Sequence, residues 1–186
     1  MRCFGDGDAL YEGYHDTEWG RPQLGERQLY EKVCLEGFQA GLAWITVLRK
    51  RAALREAFGG FDPERVSDLD VTPLLGDARL IRSLPKLRAC VTNALATLAL
   101  RQDGGLPALV LGYATRQPPP ERWTDVPAST PGSTALARDL KRAGFTFVGP
   151  VTAYSLLQAC GLVGDHLRGC DVREQVEAER SAALAR

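Results

Sequence analysis

A carboxylate set in an apolar helical stripe constrains this chain more than any other feature. Leu29, Val33, Glu36 and Ala40 recur at helical spacing, so they share one face. Three are apolar; the fourth, Glu36, is an acid on a face meant for burial. A buried carboxylate without a partner is strongly disfavoured or shifts its pKa. Gly37 and Gly41 follow in the run Cys34-Leu-Glu-Gly-Phe-Gln-Ala-Gly-Leu-Ala-Trp-Ile-Thr-Val-Leu48, and glycine is poor in a helix interior. The pattern predicts a helix ending near these glycines, a turn exposing Leu42, and a second helix from about Trp44. Glu36 and Trp44 then flank one concavity. Glu36 is either a core residue bonded to a backbone amide or an arginine, or a functional acid facing that concavity.

Period-two alternation is nearly absent elsewhere, which predicts an all-α fold. Helices are expected over 24–39 and 44–58, the second with Ile45, Leu48 and Ala52 on one side and stopped by Gly59-Gly60. Asp62-Pro63 and Thr72-Pro73 each pair an N-cap residue with proline, the start of a short helix. The segment 80–87 turns into a long helix with Leu87, Val91, Ala94, Leu95 and Leu98 inward, ending before Gly104-Gly105. Further helices are expected over 107–113, 133–143 and 151–160, and the proline-rich 114–132 as a surface connection. Residues 1–25 read as loop with a little helix. The 186 residues, 45% apolar, suit one compact unit over 1–171, with 172–186 a charged helix or frayed tail.

The N-terminal residues carry no signal-like apolar run, and none elsewhere is long enough to span a bilayer, so a cytoplasmic protein is expected. Five cysteines, an odd number, then argue for thiols or metal ligands over a disulfide framework. Cys34, Cys90 and Cys160 lie in apolar helical patterns and read as buried thiols. The two histidines each have a cysteine in their own terminal segment: Cys3 with His15, and His166 with Cys170, the latter pair at a usual zinc spacing. Together they would complete a closed, structural site joining the chain's ends; two thiols and two surface histidines fit the spacing equally well. The formal net charge is zero, so any nucleic-acid contact rests on local basic patches. Tyr11, Tyr14 and Trp19 suit a pocket wall or a small core.

The chain resembles the DNA-3-methyladenine glycosylase I family. The likeness is carried by Arg2-Cys3, Tyr14-His-Asp-x-Glu-Trp-Gly20, the 34–48 run, Gly144-Phe-x-Phe-Val-Gly149, and Tyr154-Ser-x-x-Gln-Ala-Cys-Gly-Leu-Val-x-Asp-His166 with Cys170. It implies a helix-hairpin-helix glycosylase fold whose termini are joined by one structural zinc on Cys3, His15, His166 and Cys170. It implies excision of 3-methyladenine from double-stranded DNA with alkylated adenine, the first step of base excision repair, by a monomeric enzyme. Glu36 and Tyr14 would recognise the base, Trp44 would stack on it, and Phe4 or Trp19 would complete the aromatic wall. Gly41 and Leu42 would fill the gap in the duplex, while Arg82, Ser83 and Lys86 hold phosphates.

Methylation at N3 makes the base a cation and a ready leaving group, so the protein need only flip and select it. A carboxylate complements that charge, and aromatic faces attract it. Glu36 is therefore expected to be ionised. The resemblance also implies that no aspartate stands near the sugar. Two departures stand out. Phe4 replaces a usual tryptophan, and the hairpin reads Arg82-Ser-Leu-Pro-Lys86 where the family commonly has a second arginine. That altered hairpin leaves an alternative, a catalytically weak zinc-stapled paralogue binding DNA or a cationic base.

Overall fold

The computed structural model describes residues 1–5 and 7–185, and among these there is no β-strand. The expected all-α architecture is the one observed. α1 (Ala9–Thr17) starts at Asp8, whose carboxylate accepts from the Leu10 and Tyr11 amides. It is the one well-formed helix within the segment read as mostly loop. α2 (Glu26–Gln39) follows. From Lys32 to Phe38 every residue of it is buried, the mark of a helix enclosed on all sides. It packs against α3 (Trp44–Ala57), α5 (Leu84–Leu100), α6 (Gly105–Leu111) and α8 (Pro150–Ala159). Between α5 and α2 the Tyr30 hydroxyl donates to the Cys90 carbonyl at 2.8 Å.

Gly37 does not end α2. A Cβ there would sit 3.3 Å from the Cβ of Phe147, so glycine serves close packing rather than termination. The chain turns at 40–43, where Gly41 has φ 77°, and Ala40 lies exposed beyond the stripe it was expected to extend.

Two predicted faces are rotated. On α3 the buried residues are Trp44, Val47, Leu48 and Leu54, with Ala52 outside. The inner arc there is taken by Arg51, which pairs with Glu18. On α5, Leu95 is exposed, and Cys90, Asn93, Ala94 and Thr97 face inward. Asn93 sets that face: its amide donates to the Thr146 carbonyl at 3.2 Å and its carbonyl accepts from the Thr146 amide at 2.8 Å.

α4 (Pro63–Val66) starts where Asp62-Pro63 predicted, whereas Pro73–Gly76 is a single 3₁₀ turn. α6 begins two residues earlier than expected, with Pro107 tolerated in its first turn. α7 (Pro131–Arg142) begins at Thr130, whose hydroxyl caps the Ser133 amide. It lies against α8. α9 (Arg173–Leu184) is a helix that buries Val176 and Arg180. The Arg180 guanidinium donates to the carbonyls of Gly161 and Thr115. Cys34, Cys90 and Cys160 are buried, and no described cysteine is in a disulfide. No described helix is long and apolar enough to cross a membrane.

Candidate base pocket and metal cluster

The α2–α3 turn brings Glu36 and Trp44 into the lining of one cleft of about 120 Å³. Phe4, Tyr11, Tyr14, Trp19 and Trp123 supply the rest of an aromatic wall, and Gln39, Ser155 and Gln158 its polar edge. Tyr14 lies 5.4 Å from Trp44 between ring centres. Phe4 meets Tyr11 at 4.7 Å, Trp19 at 5.1 Å and Trp123 at 5.9 Å. So Phe4, smaller than tryptophan, still belongs to the wall. Trp123 comes from a 3₁₀ turn inside the proline-rich segment read as a bare surface connection. The Trp44 indole N–H is buried with no partner among the described residues.

Glu36 is 4% exposed. No described residue makes a hydrogen bond or ion pair with its carboxyl, which excludes the core glutamate held by an amide or arginine. Burial lifts its carboxyl to about 8, with Lys32 pulling the other way. In the protein alone the acid is therefore mostly protonated at neutral pH. The ionised Glu36 expected above is the acid facing a flipped cationic base; without that cation beside it, desolvation outweighs Lys32.

Lys32 is itself 1% exposed and forms an ion pair with Glu18. Its ammonium lies 5.1 Å from the centre of the Tyr14 ring. Arg51 joins the pair, donating to both Glu18 oxygens at 2.6 and 2.7 Å. Burial alone would raise the Glu18 carboxyl, but Lys32 and Arg51 together hold it below the usual range. This charged layer backs the pocket and was not anticipated; only its position one turn before Glu36 hinted that Lys32 shared the buried face.

Leu42, 40% exposed, lines a second hollow that shares Glu36, Gln39 and Ser155 with the cleft. Its turn is held from outside by Lys86, whose ammonium donates to the Phe38 and Ala40 carbonyls at 2.9 and 2.5 Å. Lys86 thus satisfies the C-terminal carbonyls of α2. Ser83 precedes the first residue of α5, and exposed Arg82 has no ion-pair partner among the described residues. Arg79, by contrast, is paired with Asp77 and Glu56.

Cys3, His15, His166 and Cys170 converge with their ligand atoms all within 4.8 Å of one another. The histidine tautomers are settled by their outer partners. His15 Nδ1 lies 2.8 Å from the acceptor Asp16 Oδ1, which leaves Nε2 facing the cluster. His166 Nε2 lies 3.1 Å from the Trp19 carbonyl, which leaves Nδ1 facing inward. Two sulfurs and two imidazole nitrogens on one centre are the donor set of a closed tetrahedral zinc site. The cluster also abuts the pocket: the Phe4 ring is 4.9 Å from His15, and Trp19 is 4.5 Å from His166.

A family model described as methyladenine glycosylase matches residues 4–174. The chain is 45% identical to DNA-3-methyladenine glycosylase 1 of Escherichia coli (strain K12) over 170 residues, 88% of this chain and 91% of that protein. A crystal structure of 3-methyladenine DNA glycosylase I superposes with a TM-score of 0.88 at 45% identity, covering 92% of this chain and 98% of that one. A single-residue variant of 3-methyladenine DNA glycosylase I in complex with 3-methyladenine superposes with a TM-score of 0.87 at 34% identity, covering 92% and 96%.

Proposed function

The chain belongs to the methyladenine glycosylase family, and from that membership we propose that it hydrolyses the N-glycosidic bond of 3-methyladenine in alkylated DNA, opening base excision repair. The observation that carries this is Glu36: an acid buried in an aromatic cleft, with no partner of its own. Such a group suits a ligand that brings positive charge. A flipped 3-methyladenine nucleotide is cationic, and Trp44 and Tyr14 give it flat faces while Glu36 accepts its charge and its amine protons. As the cation enters, the Glu36 proton leaves to solvent. Cleavage of the bond to the sugar then makes the base neutral and leaves the positive charge on the sugar, where water adds to the sugar carbon and gives up a proton to solvent.

Leu42, presented by Gly41, fills the gap left in the duplex. Arg82 and Ser83, at the entry to α5, hold phosphates as the hairpin of a helix-hairpin-helix unit. Lys86 positions the Leu42 turn and keeps one N–H for a phosphate. Phe4 and Trp19 complete the aromatic wall. Cys3, His15, His166 and Cys170 hold one zinc, which pins the termini and takes no part in the chemistry. Residues 1–171 form the glycosylase unit, 172–186 an appended helix, and the protein works as a cytoplasmic monomer.

The test is release of free 3-methyladenine from methylated duplex DNA. Release by the wild-type chain, strongly slowed in Glu36→Gln, is expected. Binding of the DNA without any release would instead favour a non-catalytic relative.

A further inference from the structure

Asp165 is 2% exposed, and no described residue forms an ion pair with it. Its carboxylate is held by three donors: the Tyr154 hydroxyl at 2.7 Å, the Gln158 amide nitrogen at 2.7 Å and the Gln117 amide nitrogen at 2.5 Å. A carboxylate only accepts, so the Gln158 amide has one permitted orientation, with nitrogen toward Asp165. Tyr154 and Gln158 stand one turn apart on α8, and their shared contact with Asp165 also fixes the side chain's position. The Gln158 carbonyl oxygen is left over. It takes no hydrogen bond from a described residue, and it is not among the buried orphan atoms, so it is not sealed in the core. Gln158 lines the cleft beside Glu36 and Ser155.

We propose that Gln158, locked by Asp165, is a specificity-determining residue whose carbonyl oxygen accepts from the 6-amino group of the flipped base and so rejects 6-oxo purines. This rests on the glycosylase reading. Glu36 cannot make that distinction alone. Its carboxyl answers the positive charge of either N3-methylated purine, and no described residue hydrogen-bonds it to fix how it turns. Gln158 has no such freedom, because turning its amide over would set two oxygens against each other at Asp165. A 6-oxo purine such as 3-methylguanine would place its own oxygen against the Gln158 carbonyl, and an unmet acceptor in a closed pocket is costly.

DNA treated with a radiolabelled methylating agent contains both 3-methyladenine and 3-methylguanine, so one chromatographic assay reads the release of each. The wild-type chain should release 3-methyladenine in preference. Gln158→Leu removes the acceptor and should reduce that preference by about five- to a hundredfold, the range expected for one unmet buried hydrogen-bonding group. Gln158→Glu keeps an acceptor toward the base in either ionisation state and should keep the preference. Gln158→Met serves in place of Gln158→Leu should the latter not fold. A purely structural glutamine would lower the melting temperature in each variant and leave the ratio of the two bases alone. An unchanged ratio in the apolar variants, or equal loss in the apolar and glutamate variants, overturns the proposal while wild-type release of 3-methyladenine stands. A wild-type chain that releases neither base overturns the glycosylase reading, and this one with it.

Discussion

Glu36 carries an energetic cost in the protein alone. Its carboxyl sits at about 8 in the folded chain and near 4.3 when unfolded. Between those values the folded state holds a proton that the unfolded state has released, so stability falls as pH rises from the lower value to the upper. Glu36→Gln removes this slope: its melting temperature should match the parent below about pH 4 and exceed it above pH 8. Excision should move the other way, slowing roughly ten- to a few-hundredfold, because a hydrogen bond to a charged group contributes roughly 1.5–3 kcal/mol. Both quantities should be measured on one preparation; a less stable variant with normal excision would make Glu36 an ordinary core residue. Lys32 tunes the same acid. In Lys32→Met the nearby cation is gone, so the pH at which the parent's stability slope levels off should move upward, as thermal melts across pH would show. Glu36 was legible because an acid on an apolar stripe conflicts with its own local pattern. Lys32 was not, because its burial depends on α1, through Glu18 and Tyr14, which no window of α2 contains. Gln158 was legible only as a motif residue; its fixed orientation needs Asp165 and Gln117, from two other loops.

At the scale of elements, the α2–α3 hairpin was readable from glycine spacing and the return of apolar period after the turn. What was misread was rotation. Leu95 reads as core and is exposed, because Asn93 bonds across to the 144–149 loop and turns α5 about its axis. Trp123 was missed because its turn is short and proline-flanked, and only the long-range approach of Phe4 and Trp19 gives that indole a place. The entry to α5 makes a testable contrast. Arg82, with no ion-pair partner among the described residues, should act on DNA through charge alone, so Arg82→Ala should flatten the dependence of log K on log salt by about 0.9 for duplex DNA. Lys86 is tied to α2 carbonyls, so Lys86→Ala should also free the Leu42 turn. It should therefore slow excision at saturating DNA, where Arg82→Ala should not. Titrations by fluorescence anisotropy at several salt concentrations, with single-turnover rates, separate the two. An unchanged salt slope in Arg82→Ala would move the phosphate contact elsewhere.

The whole molecule closes on itself through the Cys3, His15, His166 and Cys170 cluster, and that closure and the base pocket share a wall. Phe4 follows Cys3 and Tyr14 precedes His15, so two residues of the cluster each have a pocket residue as chain neighbour. The contacts of Phe4 with His15 and of Trp19 with His166 extend the link through space. Residues 82–86 and the Leu42 turn, proposed above to meet DNA, are by contrast held by α5 and α2, which contain none of the four cluster residues. Removing the metal should therefore not act evenly. Structural zinc contributes roughly 10–16 kcal/mol in small peptides, but here a large core remains, so the chain should stay folded with a lower melting temperature. Cys170→Ser, or the wild-type protein after chelation, should lose affinity for free 3-methyladenine, read by tryptophan fluorescence, while its affinity for undamaged duplex DNA stays within about twofold. Excision should fall with the base affinity and return when zinc is restored to the chelated wild type. Equal losses for base and duplex would mean that the cluster supports the fold as a whole. No loss in either, with no zinc in the purified protein, would mean that the four side chains meet for packing alone.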